Sequence, residues 1–464
     1  MQGIEPLNYL QVIYARLDRR TTAVLLGLAI GILGGALGIA VTMMNPVLVA
    51  GGVFGGVVGL YIITNIQAAL YAIVLVMMLL PFGTLPFDIG FTPTLLDAAI
   101  GGFLLVYLVE WMTRQRTDLR LTPPHLMVLI YLGWLLMALA LGLRHSPLTL
   151  NVIRQFAGTV LALGLVFAVV DLLRDRQILR RLVVVVLIGA AAQSVLAIGL
   201  WLLPDTTADL ILSRLGRFGY PVGGTIQYIE SNPALGERAI GTFIAPNSLG
   251  GMLAIAAVII APQVFARKPV LRYRWLTFTV LVLIGVALVI TFSRASALAL
   301  AFGLGVIAIV RYRRYIPFLI LLGLLLLLLP QAQFYLDRFI QAFTAQDLAT
   351  QMRIGEWTDS LRLIRQYPIF GVGFTGSPDI ELYTDVANMY LIMANQIGLV
   401  GVAIFLATML AVLIYGLIAW QHARRDEELD SIHLGYHAAL VTALVNAVAD
   451  LYFFRLDFQP LITV

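Results

Sequence analysis

The chain is a succession of apolar runs, most of them about 18–25 residues long, and each is long enough to cross the hydrocarbon core of a bilayer. WLTFTVLVLIGVALVI at 275–290, one of the shorter runs, shows their character: no charge and no proline. With 60% of residues apolar and only 12% charged, an ordinary soluble core is excluded. The sequence predicts an all-α polytopic membrane protein with about 12–13 transmembrane helices. Candidate spans lie at about 22–43, 46–64, 66–82, 94–112, 125–142, 153–171, 182–203, 246–265, 274–292, 295–310, 315–330, 387–420 and 433–454. The run at 387–420 is too long for one simple span, and Asn388, Asn395 and Gly398 interrupt its first third, which suggests a separate half-helix. The glycine-rich stretches at 31–38 and 51–59 suit close packing between helices better than phosphate binding.

Gln2–Arg20 is mixed and polar, and the first span exceeds the apolar core of a signal peptide, so that span is expected to stay in the membrane. Cysteine is absent, which excludes disulfides, thiolate catalysis and Cys-ligated metals. The net charge of +5 comes from arginine, with Lys268 the only lysine. Arginines cluster at 16–20, 114–120, 174–181, 267–274, 311–314 and 424–425, in alternate connections. By the positive-inside rule those connections, and residues 1–21, are cytoplasmic. The rest, 22–464, then forms a single membrane domain. Two long connections, about 204–245 and 331–386, fall on the opposite face, and long loops in compact proteins are commonly functional. The second carries a candidate amphipathic helix near 353–367, with Ile354, Trp357, Leu361 and Ile364 at helical spacing. Such a helix lies flat at a membrane surface or packs on the bundle.

Among the basic residues outside the cytoplasmic loops, Arg294 sits in a tight turn, ITFSRASALAL (290–300), between two nearly uninterrupted spans. Arg238 opens RAIGTFIAPNSLGGM (238–252), where a loop enters a span through Pro246, Asn247 and Ser248. Asn247 or Ser248 is placed to cap that helix, whose exposed N–H groups favour an anion. The bland reading is that Arg294 snorkels to the interface and Arg238 solvates its loop. The sharper one is that both grip a phosphate-bearing ligand, since a guanidinium offers planar bidentate donors and stays charged. Asn446 and Asp450 share a helix face, with Arg455 as the expected partner of Asp450, while Asp97, Gln193 and Arg154 have no assigned role.

RAIGTFIAPNSLGGML (238–253), TFSRASALAL (291–300), RIGEWTDSLRLIRQYPIFGVGF (353–374) and ANMYLIMANQIGLVG (387–401) together resemble the O-antigen ligase and polymerase family of membrane proteins. The resemblance implies a bundle of the GT-C-like membrane glycosyltransferase type, working as a metal-independent, inverting enzyme without a cofactor. It implies an undecaprenyl-diphosphate-linked glycan donor, used at the extracytoplasmic face, with a glycan, lipid or protein acceptor and no nucleic acid partner. Arg238 and Arg294 match family arginines that hold the donor diphosphate, with Asn247 beside them. Asn388 matches the asparagine of a His-Asn pair, but the histidine is replaced by Ala387. Asp385 is then the nearest substitute base, followed by Asp379 and Glu381, if burial raises its pKa. A transporter of a small anion or glycan, or a non-catalytic scaffold binding the carrier lipid, are the alternatives.

Overall fold

The apolar runs become helices, and the polar or proline-bearing residues between them become helix ends. The computed structural model describes residues 35, 42, 46–85, 92–114, 116, 121–145, 147–317, 320–321, 348–374 and 386–450. Helices α1 (Pro46–Thr64), α2 (Ile66–Leu79) and α3 (Leu95–Met112) come first. Prolines open α4 (Pro123–Gly142), where a missing N–H breaks no helical bond. Thr149 and Asp175 cap α5 (Leu150–Leu172) and α6 (Arg176–Leu202) by accepting the N–H groups of Val152 and Gln177. A short helix, α7 (Asp205–Ser213), and a two-stranded ribbon of β1 (Gln227–Tyr228) and β2 (Glu237–Arg238) follow. Then come α8 (Pro246–Phe265), α9 (Arg274–Ile290), α10 (Arg294–Arg311), α11 (Leu348–Gln366), α12 (Met389–Ala423) and α13 (Glu427–Asn446).

Among the described residues, seven helices are long and apolar enough to cross a membrane: α3, α4, α5 from Val152, α6, α8, α10 and α12. The chain is therefore an all-helical, multi-pass membrane protein. Helices α2 and α9 are shorter apolar helices. The expected spans at 22–43 and 315–330 fall largely outside the described residues. Helix α13 begins at Glu427 rather than 433, because Asp426 caps it by accepting the N–H groups of Glu428 and Leu429.

The described residues divide into two compact units. One holds α1, α2 as far as Leu70, and α3 from Gly102 on; the other holds Tyr71–Gly101 and everything described from residue 121. In the first unit, of the glycines at 51–59 the described side-chain positions are Gly55, Gly56 and Gly59, and none of these is in close contact with a described residue. A Cβ added to Gly55, Gly56 or Gly59 would meet nothing within 4 Å. Close approach occurs instead in the second unit, at Gly250, where an added Cβ would lie 2.8 Å from Ser296 Oγ. The N-terminal ends of α8 and α10 thus meet at near-backbone distance. Helix α8 is the axis of this unit: 89% of its apolar window is buried, against half or less for every other spanning helix. It packs against α6, α9, α10 and α13, while α12 runs along α4 and takes α11 on its first part.

Helix α12 breaks at Gly398, where φ 73° and ψ 172° leave the helical region altogether. The break frees backbone carbonyls, which in a bilayer must find donors. The turn after α11 supplies them. Val372 N–H donates to Asn395 O at 2.7 Å, Gly373 N–H to Gln396 O at 2.9 Å, and the Trp134 indole to Ile397 O at 2.9 Å. Leu399 N–H in turn donates to Pro368 O at 2.8 Å. Gly371, at φ 68°, lies so close to this break that a Cβ would run into the Gln396 and Gly398 backbone. The GVGF motif at 371–374 is therefore a clasp over a broken span.

Helix α11 packs on α12, and of the stripe that its periodicity suggests only Ile364 is buried. Ser360 donates to Asn395 Oδ1 at 3.1 Å, and Leu363 and Ile364 are buried beside it. Ile354, Trp357 and Leu361 are exposed. Of the residues left without a role, Asp97 pairs with Arg154 at 3.3 Å. Gln193 is fully buried and accepts from Thr242 at 3.0 Å. Arg455 lies outside the described residues.

Candidate anion-binding site

The connection from α6 to α8 is folded rather than loose. Asp209 accepts both the N–H (2.9 Å) and the hydroxyl (2.7 Å) of Thr225, and the Tyr228 hydroxyl donates to Asp205 at 2.6 Å. The β1–β2 ribbon pairs Gln227 with Arg238 and Tyr228 with Glu237. Ala239 N–H then donates to Ile290 O at 2.9 Å, which ties the ribbon to the α9–α10 corner. The Thr242 hydroxyl, 2.6 Å from Leu79 O and 3.0 Å from Gln193 Oε1, anchors the entry to α8 in the bundle.

These ties bring Arg238 and Arg294 onto one cavity of about 260 Å³, together with Asn247 and with Arg353 from α11. Arg238 is fixed by two bonds, from Nε to Thr291 O at 2.9 Å and from Nη2 to Asn247 Oδ1 at 2.7 Å. Asn247 therefore orients an arginine and does not cap α8. The N-cap residue is Ala245, with Pro246 at the first helical position and Ser248 buried in the first turn. Ser293 caps α10, its hydroxyl 2.8 Å from that of Ser296, so Arg294 leaves from the first turn. Two helix N-termini thus meet at the cavity, each with the positive end of its dipole there.

Three arginines against one lining glutamate, Glu230, make the cavity cationic. Backbone strain gathers here as well. Glu230, Ser231 and Phe292, all lining residues, have φ of 53°, 57° and 52°, and Ile244 at φ 60° precedes α8. Non-glycine residues rarely adopt this region, and strain of this kind concentrates where geometry is functionally constrained. Just behind Arg238, Glu237 is pushed up to about 7, first by burial and then by the neighbouring Asp205 carboxylate. The Tyr228 hydroxyl is held by its hydrogen bond to Asp205 and pushed up to about 12. An arrangement of this sort can hold a polyanion by charge-assisted hydrogen bonds.

Asn388 is the N-cap of α12: its side chain accepts Leu391 N–H at 3.2 Å, and it is buried. Its position thus has a structural reason independent of catalysis. Asp385, Asp379 and Glu381 lie outside the described residues. Sequence reasoning missed Arg353 as a lining residue, and it missed Glu356, one helical turn further along α11 and not itself a lining residue. Glu356 Oε2 accepts the N–H of Ala387 at 3.2 Å, so a carboxylate stands beside the backbone of the residue for which the resemblance implies a histidine. Arg353 and Glu356 are three residues apart and share a face of α11. The available signal was their position on the polar side of an amphipathic helix, ahead of the Ala-Asn pair. His145 packs edge-on against Tyr367 and is not a lining residue of the cavity.

Fold and site together define a multi-pass helical membrane protein with a cationic cavity at converging helix ends. Residues 279–406 match the family model described as O-antigen ligase, which supports a membrane protein that processes glycans. The match runs from within α9 into α12 and so includes Arg294, Arg353, Glu356, Ala387 and Asn388; Arg238 and Asn247 lie ahead of it. No curated protein matches the chain.

Proposed function

We propose that the protein is a glycosyltransferase of the ligase or polymerase type, taking a glycan from an undecaprenyl diphosphate carrier at the outer face of the bacterial inner membrane. The observation that carries this reading is the convergence of Arg238, Arg294 and Arg353 with two helix N-termini on one cavity. A diphosphate leaving group develops negative charge as the glycosidic C–O bond breaks, and preorganised guanidinium donors stabilise that charge most in the transition state. The acceptor hydroxyl oxygen attacks the anomeric carbon from the opposite side, the diphosphate oxygen leaves with the bonding electrons, and the hydroxyl proton passes to a carboxylate. Glu356, bonded to the Ala387 backbone and one helical turn from Arg353, is the described carboxylate that we assign to this role. Asp385 is the other candidate.

Broken helices are also typical of transporters, where freed carbonyls coordinate ions at mid-membrane. Here the carbonyls of Asn395, Gln396 and Ile397 are occupied by Val372, Gly373 and Trp134, which favours the enzyme reading. The test is release of undecaprenyl diphosphate from lipid-linked oligosaccharides by purified protein in vesicles. Wild-type release, lost in Arg294→Ala and reduced about 10²–10⁴-fold in Glu356→Gln, is expected. No release with any glycan, lipid or protein acceptor would refute transfer. Normal release by the Glu356 variant would shift the base to Asp385.

A further inference from the structure

A second pocket, of about 340 Å³, lies where α8, α10 and α12 end and α13 begins. The cationic cavity described above is at the N-terminal ends of α8 and α10, so the two sites sit at opposite ends of the same helices, about 30 Å apart for a helix of this length. This pocket is also basic: Arg267, Arg311, Arg314 and Arg424 line it against Glu427 and Asp430. The acids are already committed. Arg267 pairs with Glu427 at 3.1 Å and Arg311 with Asp430 at 3.1 Å. Asp430 also accepts the Trp420 indole N–H at 3.1 Å.

That leaves Arg314 and Arg424 without a carboxylate partner among the described residues. Both are held by aromatic faces. The Arg424 guanidinium carbon lies 4.8 Å from the Trp420 ring centroid. That of Arg314 lies 4.9 Å from the Tyr315 ring, and its Nη2 is 3.1 Å from the Tyr315 hydroxyl. Stacking fixes a guanidinium plane without using up its charge, and its in-plane N–H fork then fits two phosphate oxygens. Phe265, half exposed at the end of α8, packs 5.3 Å from Tyr312 and 5.4 Å from Tyr315, so an apolar wall adjoins the charged one.

We propose that this pocket binds a phosphate-bearing anion, held between Arg314 and Arg424. The site is separate from the proposed transfer reaction and does not rest on it. The phosphate can come from an anionic phospholipid headgroup, whose chains would lie along Phe265, or from a soluble phosphate; basic pockets between spanning helices suit the former chemistry.

The test uses the full chain in detergent, with mass measurement of retained phosphatidylglycerol and, separately, titration of inorganic phosphate followed by thermal unfolding. Wild type is compared with Arg314→Gln/Arg424→Gln, and with Arg217→Gln, an exposed arginine that lines neither pocket, as the control. At about fivefold per arginine near a membrane surface, the double variant is expected to bind roughly thirtyfold more weakly, and the control to bind normally. Loss confined to phosphatidylglycerol supports a headgroup site, and loss confined to inorganic phosphate supports a soluble ligand. Should the double variant aggregate, Arg424→Gln alone, at an exposed position, is expected to show the fivefold loss. Unchanged retention of both ligands in the Arg314 and Arg424 variants overturns the proposal.

Discussion

The hydrogen bond from Arg238 Nη2 to Asn247 Oδ1, at 2.7 Å, is the joint that aims one arginine into the cavity, and its strength can be measured directly. A bond with a charged donor contributes about 1.5–3 kcal/mol. Both side chains are half-buried, so competition from water brings the expectation to about 1–2 kcal/mol. Arg238→Met also loses the bond from Nε to Thr291 O and should destabilise by about 2–4 kcal/mol. Asn247→Ala should lose about 1–2 kcal/mol, and the double variant should fall short of the sum by the same amount. Reversible unfolding in mixed detergent micelles gives the four free energies. If the two substitutions add to within about 0.5 kcal/mol, the pair is not coupled, and the claim that Asn247 orients Arg238 is wrong.

Glu237 keeps its proton to about pH 7, whereas an unperturbed glutamate loses it near 4.5. Between those values the fold holds a proton that the unfolded chain has released, so stability should fall as pH rises through this window. Glu237→Gln should flatten that slope, and an unchanged slope in pH-dependent unfolding would remove Glu237 as its source. Asn446 is buried with both amide atoms unpartnered among the described residues, so Asn446→Leu should stabilise by about 1–3 kcal/mol; destabilisation in the same unfolding assay would show that the amide has a partner. Gly398→Ala forces a Cβ into the Ile369 carbonyl at a glycine-only conformation. It should destabilise by more than about 3 kcal/mol, with folded yield in detergent as the first readout, and a normally folded variant would contradict the geometry.

The helical, membrane-spanning class was legible because hydrocarbon demands it: a run of apolar residues of sufficient length has few other places to go. The break in α12 was legible too, since Asn388, Asn395 and Gly398 interrupt a run too long for one span. Arg238 and Arg294 could be singled out because a guanidinium at a membrane border is expensive without a partner. What sequence could not give was which long-range hydrogen bonds the loops would make. Asn247 looked like a helix cap because it follows a proline at a helix start, yet its partner is a side chain nine residues back. The periodicity of α11 left open whether it lies at a membrane surface or packs on the bundle, and a serine–asparagine bond with the clasp over Gly398 fixes its packing on α12. Glu356 is invisible as a neighbour of Ala387 until α11 is folded against the start of α12.

Replacing a histidine by Ala387 need not silence the proposed chemistry, and relative magnitudes show why. A general base typically contributes about 10²–10⁴ in rate, and removing a single preorganised donor to developing charge costs about 10²–10³. The cavity brings three guanidinium groups to one place, so their combined effect on a departing diphosphate outweighs what any one base adds. A phosphate ester leaving group also needs less help from a strong base than an amide would, because the attacking hydroxyl loses its proton late, once the C–O bond is largely broken. Under these conditions a carboxylate beside position 387 is a sufficient proton acceptor, and the arginines become the residues whose loss ends activity. The ordering is therefore set by the arginines together: replacing Arg238, Arg294 and Arg353 in one variant should cost more than Glu356→Gln in the release assay, and the reverse ordering would mean that proton removal, not leaving-group stabilisation, limits the reaction.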